Sequence, residues 1–76
     1  MSTSEFRIYN PESLGAAVRR FREDSGLTQA HLAKLAGIDR SYLSALENGE
    51  MVEQVVRLVA LLGQLGARLV VVKADW

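Results

Sequence analysis

Gln29, Arg40, Ser41, Tyr42, Ser44 and Asn48 stand together in one short stretch, "TQAHLAKLAGIDRSYLSALENG" at 28–49. Their shared chemistry is hydrogen bonding. An arginine pairs with guanine O6 and N7 through two N–H donors, and a serine hydroxyl bonds to several base edges. Gln29 falls at a helix start, where it is placed to donate to a phosphate and where free backbone N–H groups also favour an anion. Catalysis is a poor use of the same residues. Ser41, Ser44 and His31 lack suitably arranged acidic partners and a glycine loop for an oxyanion, so the chain reads as a non-enzyme. His31 is the single histidine and cysteine is absent. No metal-ligand spacing and no disulfide framework can be built, and no cofactor is expected. His31 reads instead as a solvated helix residue near a nucleic-acid backbone.

The elements that must hold these residues are helices. "NPESL" at 10–14 supplies a start, with Asn10 as N-cap and Pro11 at the first helical position, where its missing N–H costs nothing. Leu14, Ala17, Val18 and Phe21 then recur at helical spacing, and Gly26 ends the run. Thr28 caps a second helix that stops at Gly37, and Asp39 caps a third running to Asn48 and Gly49. A fourth spans about Val52 to Leu65. Val52, Val55, Val56, Val59 and Leu62 form one apolar stripe along it, which Leu58, Leu61 and Leu65 widen. "ARLVVVK", following "LGQLG", reads as a strand. The expected organisation is an arm at 1–9 ending in the extended "FRIY", a helical body at 10–66, and a strand and tail at 67–76.

The turn between the second and third helices decides the fold. Two short helices that cross steeply need a small residue at the crossing, a turn residue tolerant of positive φ, and apolar residues pointing into the shared angle. Ala33, Gly37 and the set Leu32, Ile38, Leu43 and Leu46 meet these needs. The spacing predicts a helix-turn-helix. With Leu43 and Leu46 turned inward, Arg40, Ser41 and Ser44 lie on the exposed face of the third helix, whose N-terminal part reaches base edges in a major groove.

"GLTQAHLAKLAGIDRSYLSALENG" resembles the phage-repressor and Xre family of helix-turn-helix proteins, a likeness covering roughly Leu14 to Leu65. The resemblance implies a lambda-repressor-like, all-α domain of four to five helices. It implies that Gln29, Arg40 and Ser41 match DNA-contacting positions, with Asn48 near a phosphate and Ala45 available to a thymine methyl. The candidate DNA contacts are Thr28, Gln29, Arg40, Ser41, Tyr42, Ser44, Ala45 and Asn48. It further implies an ion pair between Arg22 and Glu47 that locks the third helix. Glu50 departs from the family pattern, in which a basic residue commonly follows "ENG".

Charge and composition shape the partners. Nine basic residues balance nine acidic ones, whereas a nucleic-acid-binding domain is usually basic. "RRFR" at 19–22 and Arg40 still suffice for a small basic face, Arg19 and Arg20 serving either as a solvated face or as phosphate contacts. Hydrophobic residues make up 49% of the 76, more than a monomer of this size easily hides. The excess on the fourth helix points to a homodimer, with Val55, Val59 and Leu62 in its interface. "YNPESLGAAVRRFRE" and the closing strand resemble HipB-type antitoxins, dimeric repressors that bind a palindromic operator and a HipA-like kinase toxin. That resemblance implies a strand, Leu69, Val70, Val71 and Val72, that pairs with its counterpart in the second subunit as a two-stranded sheet. Trp76, which no local core receives, is then a candidate toxin contact. The alternative is a stand-alone Xre-family regulator. Residues 1–10 lack the apolar run of a signal peptide and no stretch approaches the ~20 apolar residues of a membrane span, so a cytoplasmic protein is expected.

Overall fold

The computed structural model describes residues 5–50 and 53–74. Trp76, Val52 and the first residues of the arm lie outside them, and with Trp76 goes the expected toxin contact. The chain runs β1 (Glu5–Ile8), α1 (Pro11–Asp24), α2 (Gln29–Ala36), α3 (Arg40–Glu47), α4 (Glu53–Gln64) and β2 (Leu69–Val72). It is mostly helical, with four helices and a two-stranded sheet among the described residues.

α1, α2 and α3 each begin on a side chain that takes up a free backbone N–H. Asn10 Oδ1 accepts from Ser13 N at 2.8 Å while Ser13 Oγ accepts from Asn10 N at 3.0 Å, a reciprocal cap with Pro11 at the first helical position. Thr28 Oγ1 accepts from His31 N, and Asp39 Oδ1 from Ser41 N. Gly37 closes α2 at φ 72°, a left-handed conformation that a Cβ would strain. Nothing crowds Gly37 itself, so backbone angle is what that position requires.

Gly15 is glycine for the opposite reason. It lies inside α1 with ordinary helical backbone, but a methyl group there would collide with the Leu46 carbonyl oxygen and fall 2.7 Å from that of Glu47. The absent side chain lets α1 cross the end of α3 almost backbone to backbone. Around this crossing the core is small: Ile8, Ala17, Ala33 and Leu43 are buried.

β1 and β2 pair antiparallel, Phe6 opposite Val71 and Ile8 opposite Leu69. Opposed residues share a face. Ile8 is buried, and Phe6 meets Phe21 of α1 edge to face with ring centroids 5.7 Å apart. Glu5, Arg7, Val70 and Val72 form the outer face. This corrects the expectation that the partner of the closing strand comes from a second subunit. The cap at Asn10 turns the arm back along α1, and a strand already tethered beside β2 meets it at high effective concentration. "FRIY", read only as an extended piece, supplies the ladder.

α4 is the exception to this packing. None of its residues is buried, and it makes no extensive contact with another element of its own chain. The radius of gyration, 13.0 Å, exceeds the roughly 11 Å of a compact chain of this length.

Candidate nucleic-acid interface

α3 separates most of the candidate contact residues from the side chains that hold it. Helical spacing puts Ser41, Ala45 and Asn48 on one side and Leu43, Leu46 and Glu47 on the other, with Tyr42 and Ser44 at the borders, while Arg40, seven residues before Glu47 and so on its side of the helix, is open because it stands in the first turn. Leu43 and Glu47 are buried. Arg40, Ser41 and Asn48 are exposed, whereas Ser44 and Ala45 are half-buried. Tyr42 is 49% exposed. The open surface of α3 is therefore widest at its N-terminal end, at Arg40, Ser41 and Tyr42, and the helix rises about 12 Å from there to the exposed Asn48 at 1.5 Å per residue.

The opposite face is fastened by one buried carboxylate. Arg22 Nε donates to Glu47 Oε2 at 2.6 Å and Arg22 Nη2 donates to Glu47 Oε1 at 3.0 Å, a two-pronged pair joining α1 to α3. A third donor of the same guanidinium, Nη1, reaches the Leu27 carbonyl at 2.7 Å. Gln29 Nε2 donates to Glu47 Oε1 at 3.0 Å. The pair Arg22 and Glu47 thus gathers α1, the loop before α2, the start of α2 and the end of α3. Burial by itself would push the Glu47 carboxyl up. Hydrogen bonds from Arg22 and then Gln29, the positive charge of Arg22 and a hydrogen bond from Arg19 outweigh it, and the carboxyl is held below its ordinary value. The hydrogen bond to Glu47 raises the Arg22 guanidinium, against a smaller opposing effect of burial. Both groups stay charged at neutral pH.

Several side chains do work that their types did not announce. Gln29 is half-buried and spends an N–H on Glu47, leaving one N–H for a phosphate. Thr28 is exposed, and its hydroxyl oxygen caps α2. Arg19, one turn before Arg22 on the same face of α1, lies with Nε 3.5 Å from Glu47 Oε1 and donates through Nη2 to Asn48 Oδ1 at 3.3 Å. It therefore stands at the edge of the candidate surface, a position that the three-residue spacing from Arg22 carried in the sequence. Arg20 pairs with Asp24 one turn on. Gly15 bore no sequence signal, because what it makes room for is distant in the chain.

Among the described residues no His, Cys, Asp or Glu cluster could hold a metal ion, and no helix is long and apolar enough to cross a membrane. The arrangement presents a fixed helix bearing an arginine and hydroxyls, beside the N-terminus of a second helix and a cluster of arginines. It can donate hydrogen bonds to base edges and phosphates.

Comparison with known proteins agrees with this geometry. A family model described as a helix-turn-helix domain matches residues 13–70. The HTH-type transcriptional regulator PrpR of Mycobacterium tuberculosis is 43% identical over 44 residues, 58% of this chain but 9% of that protein. An uncharacterized HTH-type transcriptional regulator of Sinorhizobium fredii, y4mF, is 35% identical over 60 residues, covering 79% of each chain. No solved structure matches.

Proposed function

The chain belongs to the helix-turn-helix domain family, and from that premise we propose that it is a dimeric, sequence-specific DNA-binding repressor with α3 as its recognition helix. The observation that carries this is the asymmetry of α3: an open N-terminal end with Arg40 and Ser41, backed by a face fixed through Glu47. Arg40 reads a guanine, Ser41 and Ser44 bond to neighbouring base edges, and Ala45 meets a thymine methyl. Thr28, the remaining N–H of Gln29, Tyr42 and Asn48 address the backbone, with Arg19 beside Asn48.

Two copies are needed because half-sites on a palindrome mirror a twofold protein. The unpartnered α4 supports a dimer, with Val55, Val59 and Leu62 in its interface. The apolar outer face of β2, Val70 and Val72, extends that interface, with Leu69 and Val71 behind it.

The finer reading is that this repressor is the antitoxin of a HipBA-like pair, binding its own operator and a kinase-fold toxin, with Trp76 as an aromatic anchor on the toxin. It rests on the resemblance of the two chain ends. The competing reading, a stand-alone Xre-family regulator, draws support from the regulators that the chain resembles. Gel shift with the sequence upstream of its own gene tests DNA binding, and co-purification with the neighbouring gene product separates the two readings. The antitoxin reading expects a retained kinase-fold partner, lost on deletion of Asp75 and Trp76 while operator binding persists. Operator binding with no retained partner would leave the stand-alone regulator.

A further inference from the structure

The molecule carries two apolar surfaces that nothing among the described residues covers. One is convex: Leu58, Leu61 and Leu65 recur at i, i+3 and i+7 along α4 and the turn that follows it, 45%, 58% and 72% exposed. Val55, Val59 and Leu62, on the adjacent stripe, are half-buried. The other is concave, an open groove of about 310 Å³ between α1, α2 and β2, lined by Ala17, Val18, Phe21, Leu27, Leu32 and Val71. No residue of α4 lines it.

We infer that α4 of one copy docks, through Leu58, Leu61 and Leu65, in this groove of a second copy, and that the exchange is reciprocal. The inference rests on the dimer reading and specifies its junction. An amphipathic helix with anchors at this spacing is the shape that an apolar groove receives. A reciprocal exchange about a twofold axis closes on itself and leaves no groove or helix unfilled. Area agrees. The chain exposes 5524 Å², about 900 Å² more than the ~4600 Å² expected of a compact protein of 8.4 kDa. A stable interface of standard size takes about 800 Å² from each partner.

A small ligand fits the groove less well. Sites of that kind orient their ligand with a few free polar groups. Here the polar lining is Arg22 and Ser25, and both are engaged. Arg22 is bound to Glu47 and Leu27, and the Ser25 hydroxyl donates to the Phe21 carbonyl.

The test uses the full chain with Leu61 replaced by p-benzoylphenylalanine, as an equal mixture of isotopically light and heavy protein irradiated at micromolar concentration. Cross-links from one copy into residues 17–32 of the other are expected. Links from α4 to the other copy's α4 would overturn the groove while leaving the dimer intact, and links into the groove of the same chain would overturn the exchange. A wild-type chain that sediments as a monomer at that concentration would remove the dimer reading and this inference with it. In parallel, Leu61→Asp should weaken dimerisation roughly 100-fold, because the buried anchor occurs twice per dimer. Val56→Asp, which faces away from Leu61 on the same helix, should change it only a few-fold. Equal weakening by the two would overturn the assignment of the docking face.

Discussion

α3 and α4 are both short amphipathic helices that end close to a glycine of positive φ, Gly49 and Gly66. Their environments differ in kind. α3 buries Leu43 at 2% exposure and Glu47 at 5%, whereas α4 buries nothing. The orientation of α3 is therefore set inside one chain, by a backbone crossing at Gly15 and by a carboxylate that draws donors from α1 and α2. The apolar face of α4 is left open, and the proposed dimer would cover it. A protein that reads a twofold DNA site can use this division: the reading helix is rigid within each subunit, and the spacing between two reading helices is set where the subunits meet. It also predicts that folding has two parts, one independent of protein concentration and one dependent on it.

The most damaging change to the α3 side is the addition of one methyl group. Gly15→Ala inserts a Cβ against the Leu46 and Glu47 carbonyl groups, rigid backbone atoms that have no rotamer in which to escape. Overpacking of this kind costs about 1–3 kcal/mol or more, a large part of the stability of so small a domain. Thermal unfolding followed by circular dichroism should show a melting temperature lowered by roughly 10 °C or no cooperative transition. Gly37→Ala, which meets no neighbour and suffers only from its φ of 72°, should cost less. An unaltered melt for Gly15→Ala would mean that α1 and α3 do not cross this closely.

Next in size is the loss of the buried carboxylate. Glu47→Ala strips Arg22 of its two-pronged partner and Gln29 of its acceptor, so stability and DNA affinity should fall together. The pH dependence has a definite sign. A carboxyl held lower in the folded chain than in the unfolded one stabilises the fold fully above its unfolded value and ceases to do so as pH falls through the folded value. Stability should therefore decline as pH drops below the ordinary glutamate value of 4.5. Glu47→Gln should flatten that part of the curve, which acid titration of the two proteins would show. Parallel curves would place the acid sensitivity elsewhere.

What could be read from the sequence follows from the range of the forces involved. The caps at Asn10, Thr28 and Asp39 were legible because a side chain there bonds to a backbone two or three residues away. So was Gly37, whose role is an angle of its own backbone. The apolar excess of α4 was also plain, although the stripe left most open is Leu58, Leu61 and Leu65 rather than the one through Val55, Val59 and Leu62. The pairing of β1 with β2 was not legible, since it joins residues more than sixty positions apart and depends on where the Asn10 cap aims the arm. Gly15 was hidden for the same reason: nothing nearby in the chain reports on the carbonyl groups that it accommodates. In the candidate interface, residue type identified the polar face of α3 but did not show that Gln29 is partly committed to Glu47.

The mildest change acts on recognition alone. Arg40 is exposed and its side chain makes no hydrogen bond or ion pair among the described residues, so Arg40→Ala should leave the melting temperature within a degree or two. It should cost ~1–3 kcal/mol on the cognate duplex and relax preference at one base pair. Fluorescence anisotropy with cognate and scrambled duplexes would measure both. An equal loss on the two would assign Arg40 to the phosphate backbone.

The central claim, that two rigidly held α3 helices read DNA as a twofold pair, is tested most directly by selecting duplexes from a random pool with the purified full chain and sequencing those retained. The account predicts enrichment of an inverted repeat whose half-sites lie about one helical turn apart, ~10–10.5 bp centre to centre. The guanine contacted by Arg40 should lose its enrichment when Arg40→Ala is selected in parallel. Recovery of a single unrepeated motif would contradict the dimer, and a pool that stays random would contradict recognition by α3.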